Sequence, residues 1–164
     1  MRARFAGYDE DDSPFLAGME DRRKSADAGF QLTWEAERVG VRLTPVTDLL
    51  GRSDGQEVDL DLFFPIRFGP VRIEPEVGAA WLSDSFVDYY AGVRPEEARP
   101  DRPAYEGEST VNLTTGVSVF TPVGRRWLFQ GFLRLDQLGG GFEDSPIVGD
   151  DNALTSFVAL SYRS

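Results

Sequence analysis

The 164-residue chain contains no cysteine and no histidine. These two absences exclude disulfide bonds, thiolate nucleophiles and imidazole bases, and they remove the commonest ligands of transition metals. Basic residues are also scarce, since 17 lysines and arginines stand against 28 aspartates and glutamates and leave a formal net charge of -11. A surface that neutralises nucleic-acid phosphates needs a basic stripe, so we predict no nucleic-acid partner.

Long apolar runs are missing as well. A membrane-spanning helix needs about 18 or more consecutive apolar residues, and no stretch of this sequence approaches that length. A spanning β-strand needs only about 9–11 residues, half of which can face water, so a membrane protein built from strands is compatible with this composition. Residues 1–5 have no apolar core of the signal-peptide type and begin within a strand-like pattern.

The sequence is rich in polar–apolar alternation of period two, which is typical of half-buried strands. Phe30, Leu32 and Trp34 share one parity, for example, and the residues between them are polar. Pro45 predicts a bulge or a sheet edge within the third strand. The alternation predicts an all-β fold of eight strands, at residues 2–8, 27–37, 41–49, 57–64, 71–81, 111–119, 127–138 and 154–163.

The connections between these strands are alternately long and short. Residues 83–108 and 139–151 are loops of the long class, whereas residues 37–40, 67–70 and 121–124 are tight turns. An even strand count with short turns at one end and long loops at the other is typical of bacterial outer-membrane barrels. We therefore predict an antiparallel up-and-down transmembrane β-barrel. Alternation does not distinguish inside from outside, so a soluble lipocalin-like barrel that binds a small molecule is the alternative.

Two sets of residues are candidate functional positions in such a barrel. Aromatic residues near strand ends are candidates for an aromatic girdle at the membrane interface: Trp34, Trp81, Trp127 and Tyr162. Charged residues on the polar parity are candidates for a charge network in the lumen: Arg42, Asp59, Asp61, Arg72, Glu74, Glu76, Arg134 and Asp136. These acids could attract cations or hydrolyse a glycoside, but we interpret them as a wet interior whose acids pair with arginines. No catalytic residue is predicted.

Three loop motifs carry weaker signals. Asp9–Asp12 could bind calcium, but the spacing does not match a calcium loop and no metal site is predicted. We interpret the segment as a solvated loop or as a site of divalent bridging to lipopolysaccharide phosphates. Residues 88–90 and Tyr105 are either an aromatic recognition surface or packing over the barrel mouth. The three glycines 139–141 are interpreted as a flexible hinge; they lack a phosphate-binding motif, and no cofactor is predicted.

Several motifs together resemble the MipA/OmpV family of Gram-negative outer-membrane proteins. They are GYDEDDS at 7–13, FLAGM at 15–19, DGQE at 54–57, DYYAGVRPEEA at 88–98, PAY at 103–105, DSPIV at 144–148 and FVALSYR at 157–163. The resemblance covers essentially the whole chain and implies a location in the outer membrane. Family members are longer, with a signal peptide and more strands upstream, so residues 1–164 are expected to form a single barrel domain that is the C-terminal part of a longer, N-terminally truncated barrel. Members tend to finish on an aromatic residue, whereas Ser164 stands last here.

The resemblance also implies a role. The family's namesake holds a murein-cleaving lytic transglycosylase together with a murein-synthesising penicillin-binding protein, so a scaffold in peptidoglycan remodelling is expected. Outer-membrane lipid and lipopolysaccharide are its expected surroundings and partners. Other members are described as porin-like, which leaves a channel as an alternative. The family has no established catalytic residue, so none is transferred to this chain.

Overall fold

The computed structural model describes residues 2–4 and 7–162. In these ranges neither helix is long or apolar enough to cross a membrane. Residues 5 and 6, in the middle of the first predicted strand, and residue 163, at the end of the last one, lie outside the described residues. The described elements are strands β1 Arg2–Arg4, β2 Ser25–Gly29, β3 Leu32–Glu35, β4 Gly40–Asp48, β5 Gln56–Phe63, β6 Ile66–Phe68, β7 Val71–Leu82, β8 Thr110–Val123, β9 Trp127–Gln137 and β10 Asn152–Tyr162, with helices α1 Asp84–Ala91 and α2 Gly140–Glu143.

All the strands belong to one antiparallel sheet that follows the order of the sequence. Its order is β1-β2-β4-β5-β7-β8-β9-β10, with β3 beside β4 and β6 beside β7. Since β3 extends β2 and β6 extends β5, the sheet contains eight strand paths, and the predicted up-and-down arrangement is confirmed. Within the described residues β1 and β10 each pair on one side only, so the sheet is a curled half-barrel.

Two prolines divide the second and fourth strand paths. The register is unchanged across both interruptions, which lie opposite Pro45 and Pro75. Phe30 N donates to Pro45 O at 3.4 Å and Phe64 N donates to Pro75 O at 2.9 Å. Two facing residues of an antiparallel ladder normally exchange two hydrogen bonds, but proline has no N–H and cannot donate the second one. The expectation of a bulge or edge at Pro45 is therefore wrong: β4 has neighbours on both sides, and the proline interrupts the ladder without inserting a residue.

The two faces of the sheet differ in the way that lipid requires. In β5, Asp59 and Asp61 are buried on the concave face, whereas Leu60 and Leu62 are 49% and 42% exposed on the convex face. In β10, Leu154 is 68% exposed on the convex face. A lipocalin-like barrel would place its apolar parity inside, so this arrangement is the opposite of the soluble alternative. An apolar exterior around a polar interior is the pattern of a transmembrane barrel.

A hydrophobic core lies at the long-loop end of the sheet. It contains Ala80 and Leu82 from β7 and Phe86, Val87 and Ala91 from α1. The segment 83–108 was predicted to be a loop throughout, and this is wrong at its beginning, where α1 forms. Ser83 is the N-cap of this helix, because its side chain accepts a hydrogen bond from Phe86 N at 3.3 Å.

The glycines at 139–141 form a packed element and not the predicted hinge. Gly139 caps the short helix α2, which begins at Gly140. A Cβ atom at Gly139 would lie 2.4 Å from Thr110 Oγ1, and one at Gly141 would lie 2.4 Å from Glu108 O. The absence of side chains here allows α2 to lie directly against the start of β8.

Candidate functional site

The concave face carries the charged residues that the sequence singled out. In one group, Arg42 lies 3.8 Å from Glu74 and 3.2 Å from Glu76. Arg72 contacts Glu74 and also reaches Glu35, with Nη2 and Oε2 2.7 Å apart. These five side chains come from three strands, so the group ties β3, β4 and β7 together across the concave face toward the short-turn end.

A second charged group lies on the same face around Arg134, closer to the long-loop end. Its Nε is 2.7 Å from Asp136 Oδ1, and its Nη2 is 3.7 Å from Asp59 Oδ1. Asp61 lies beside Gly78, where a Cβ atom would come within 2.3 Å of the carboxylate oxygen Oδ1. The structure thus places all eight predicted lumen residues on the concave face, in two groups. Among the described residues, no three acidic side chains are grouped so that they could hold a metal ion.

A cavity of about 610 Å³ lies above these charges. Ligand sites in proteins commonly have volumes of about 300–1,000 Å³. Its floor includes Arg42, Glu76, Arg134 and Asp136, and its apolar wall comes from Leu82, Phe86, Tyr90, Leu138 and Phe142. The cavity therefore combines a charged base with an apolar rim.

Phe63 covers the concave face at the short-turn end. It is 1% exposed, and the outer edge of its ring packs against Gly40, where a Cβ atom would come within 2.1 Å of Cζ. The guanidinium of Arg42 lies 4.8 Å from the centre of the same ring. This cation–π contact joins the apolar cover to the charged group above it.

At the other end, the long loops form a compact cap held by a buried ion pair. Arg22 Nη2 lies 3.0 Å from Glu97 Oε2, and the two side chains are 2% and 3% exposed. Glu97 also accepts hydrogen bonds from Glu20 N at 2.8 Å and Arg94 N at 3.0 Å. Burial raises the pKa of Glu97, but these hydrogen bonds and the Arg22 charge outweigh burial and hold the pKa below its ordinary value.

A second buried arginine in the cap binds backbone carbonyls. Arg102 is 1% exposed and donates to Phe15 O and to Glu97 O, the latter at 2.7 Å. It therefore joins the first long loop to the third, across more than 80 residues of sequence. Sequence reasoning missed Arg22, Glu97 and Arg102, because isolated charges in a Pro-rich acidic loop have the same appearance as solvated ones.

The tyrosines of the loop motifs make packing contacts within the cap. Tyr90 packs on Phe86 with ring centres 4.9 Å apart. The Tyr89 hydroxyl accepts a hydrogen bond from Arg23 N at 2.9 Å, and the Tyr105 hydroxyl donates to Gly141 O at 2.9 Å. Tyr90 thus packs within α1, Tyr89 joins α1 to the first loop, and Tyr105 joins the loop after α1 to α2.

The four girdle candidates lie at two levels on the convex face. Trp34, Trp127 and Tyr162 are at the short-turn end, and Trp81 is at the opposite end. Along β8, twelve residues separate the partner of Trp127 from the partner of Trp81. That is about 41 Å along the strand and about 31 Å along the membrane normal for a tilt of about 40°, close to the ~30 Å hydrocarbon thickness of a bilayer.

Comparison with known proteins gives a consistent set of relatives. The family described as MltA-interacting protein MipA matches residues 2–164. The outer membrane protein Omp26La of Vibrio anguillarum is 27% identical over 156 residues, and OmpV of Vibrio cholerae is 26% identical over the same length; each match covers 95% of this chain and 61% of the relative. The MltA-interacting protein of Escherichia coli K12 is 25% identical over 148 residues, 88% of this chain and 59% of the relative.

These relatives locate the chain in the cell. No solved structure matches it. The chain spans about three-fifths of the length of the curated relatives it matches. Their names are those of outer-membrane or interacting proteins and not of enzymes, and the predicted location in the Gram-negative outer membrane is confirmed.

Proposed function

The chain belongs to the MltA-interacting protein MipA family, and on that premise we propose that it is a non-enzymatic barrel scaffold for peptidoglycan (murein) remodelling enzymes of the cell envelope. The observation that carries this proposal is the family match over residues 2–164, together with the Escherichia coli relative named for its interaction with MltA. The proposed partners are a lytic transglycosylase and a penicillin-binding protein.

The chemistry of the concave face supports a role without catalysis. Three arginines of the concave face, Arg42, Arg72 and Arg134, each contact at least two carboxylates. A glycoside hydrolase needs one carboxyl group kept protonated in an apolar environment beside a second, ionised one. The carboxylates here instead share arginines in ion pairs, an arrangement suited to keeping a polar interior in shape.

The proposed surroundings of the barrel are lipid and lipopolysaccharide. The convex face presents apolar side chains to the membrane, between the two levels of candidate girdle residues. At the long-loop end, Asp9–Asp12 would meet lipopolysaccharide phosphates through bridging divalent cations, since both groups are anionic. Chelation of divalent cations is expected to weaken lipopolysaccharide retention by the purified protein.

We also propose that residues 1–164 act as one unit within a longer barrel. Within the described residues, the outer edges of β1 and β10 lack strand partners. Lipid offers no hydrogen bonds to such edges, so a stable spanning sheet needs further strands beside them. Refolding this chain with and without the additional segment of its longer relatives tests this, and equal urea resistance of the two forms would contradict it.

A channel is the second candidate, and the charge of the concave face favours it. Five acids of the two charged groups stand against three arginines in the predicted network, and such a lining favours cations over anions. Conductance in planar bilayers would be cation-selective in that case. Absence of conductance from heat-modifiable protein would reject the channel and leave the scaffold proposal intact.

The scaffold proposal is tested with the immobilised, refolded full-length protein. Folding is first checked by heat-modifiability, since an unboiled membrane barrel migrates faster on a gel. The folded protein is expected to retain a purified lytic transglycosylase and a penicillin-binding protein, whereas the same protein denatured by boiling is not. Equal retention of both enzymes by folded and boiled samples would contradict the scaffold role.

A further inference from the structure

Charge is distributed very unevenly between the two ends of the molecule. The long connections, residues 7–24, 49–55, 83–109 and 138–151, carry 18 acidic and 7 basic residues. The short turns at 36–39, 69–70 and 124–126 carry three basic residues and one acidic residue. The long-loop end is therefore strongly anionic and the short-turn end is cationic.

The arginines of the last short turn differ from those of the strands in lacking an acidic partner. Arg42, Arg72 and Arg134 all contact carboxylates. Within the described part of the chain, neither Arg125 nor Arg126 forms an ion pair, and both are exposed. Two uncompensated cations thus lie side by side at the level where the sheet meets the membrane surface.

Aromatic residues hold one of these cations on the lipid-facing side. Arg126 Nη1 donates to the Tyr162 hydroxyl at 2.9 Å. Because this oxygen accepts from the guanidinium, its own hydrogen is available to donate outward. Trp127 packs against Tyr162 with ring centres 5.0 Å apart at 67°, and both rings are exposed on the convex face. The indole N–H adds another donor at the same level.

We propose that this rim, consisting of Arg125, Arg126, Trp127 and Tyr162, binds the headgroup phosphate of an anionic phospholipid in the periplasmic leaflet. The inference rests on the proposed membrane barrel, in which the short turns are periplasmic. Guanidinium groups match phosphate oxygens with paired hydrogen bonds, and the two rings pack on the glycerol and upper acyl chain. Each arginine near an anionic membrane surface strengthens the binding of the protein to that surface by a factor on the order of five.

The test measures which lipid the folded protein retains. Full-length protein is refolded in an equimolar mixture of phosphatidylglycerol and phosphatidylcholine, extracted in mild detergent and examined by native mass spectrometry. Wild type is expected to retain phosphatidylglycerol preferentially, and the double variant Arg125→Gln/Arg126→Gln to lose roughly 25-fold of that preference, taking fivefold per arginine. Tyr162→Phe, which keeps the ring, is expected to lose part of it.

A matched control separates this site from net charge. The double variant Arg23→Gln/Arg52→Gln removes two exposed arginines at the long-loop end and is expected to keep the wild-type preference. Equal preference in wild type and the Arg125/Arg126 variant, equal loss in the control, or displacement of the lipid by inorganic phosphate at low concentration would each overturn the inference. Failure of heat-modifiability in every lipid would overturn the barrel itself, whereas a folded protein without lipid preference would overturn the rim site alone.

Discussion

Removing the charge of Glu97 is expected to open the loop cap while leaving the strands intact. In the variant Glu97→Gln, the buried Arg22 guanidinium loses the carboxylate that lies 3.0 Å away, and its side chain is only 2% exposed. Breaking a buried ion pair by removing one partner costs about 3–5 kcal/mol, because the remaining charge is left uncompensated. At about 1.4 kcal/mol per factor of ten, the open fraction of the cap rises roughly 100- to 4,000-fold.

Trypsin provides a direct assay, because the cap contains its own cleavage sites. Arg22 is buried in the closed cap, so the bond between Arg22 and Arg23 becomes accessible to trypsin when the cap opens. Arg94, Arg99 and Arg102 each precede a proline and are not cut. Where opening and closing are fast, the cleavage rate follows the open population, so the variant is cut faster by that same factor. The matched control is Glu96→Gln, which neutralises the exposed neighbouring carboxylate. Equal cleavage of the two variants would refute the role assigned to the buried pair.

The same pair predicts the direction of a pH dependence. The pKa of Glu97 in the folded cap lies below its ordinary value. The unfolded cap therefore takes up a proton more readily, and the stabilisation is complete above the ordinary glutamate pKa of about 4.3. It is lost as the pH falls through the lower folded-state pKa. Near-ultraviolet circular dichroism of the cap tyrosines should fade in that acid range in wild type, and a signal in Glu97→Gln that fades identically would contradict the assignment.

Two further predictions concern the strands. Leu133→Arg places a charge on the convex face midway between the two levels of girdle candidates. It should destabilise the folded barrel by about 2–4 kcal/mol and reduce the yield of heat-modifiable protein, whereas Ser118→Arg on the concave face should fold normally. Equal yields from the two variants would refute the assignment of the faces. Gly40→Ala forces a methyl group into the ring of Phe63 and should lower the free energy of unfolding by about 1–3 kcal/mol, measured as a lower urea midpoint. The control Gly131→Ala, whose Cβ atom would have its nearest contact at an ordinary 3.5 Å, should leave the midpoint unchanged. An unchanged midpoint in Gly40→Ala would show that the ring moves aside easily.

The faces of the sheet were predictable from sequence because a strand has only two. Once Leu60 and Leu62 are assigned to one side, Asp59 and Asp61 must occupy the other. Orientation toward lipid or lumen followed from the lengths of the connections, the aromatic residues near strand ends and the family motifs in the loops, and not from the alternation itself. The network partners were only partly predictable: arginines and acids share a parity, but which Arg meets which Glu depends on the shear between strands, which alternation does not encode.

The cap was the least predictable part, and for two different reasons. Helix α1 had a local signal, since Ser83 and Asp84 form a typical helix start and Phe86 and Tyr90 follow at helical spacing. Three prolines later in the same segment favoured a loop and obscured it. The pairing of Arg22 with Glu97 had no local signal at all, because it depends on how two loops fold over one another.

The distribution of buried apolar residues explains why such a cap exists. In a soluble barrel the strands enclose the core, but here the apolar parity faces lipid, and little hydrophobic free energy is gained by packing strand against strand. The strands are held mainly by their hydrogen-bonded ladder and by the arginine–carboxylate groups of the concave face. Long loops exposed to water have no such ladder, so they need a core of their own. Phe86 and Val87 supply its apolar part, and the buried Arg22–Glu97 pair fixes the arrangement of the segments around it. The cap is therefore a separately stabilised unit seated on the barrel, and mutations within it should change loop accessibility without changing membrane insertion.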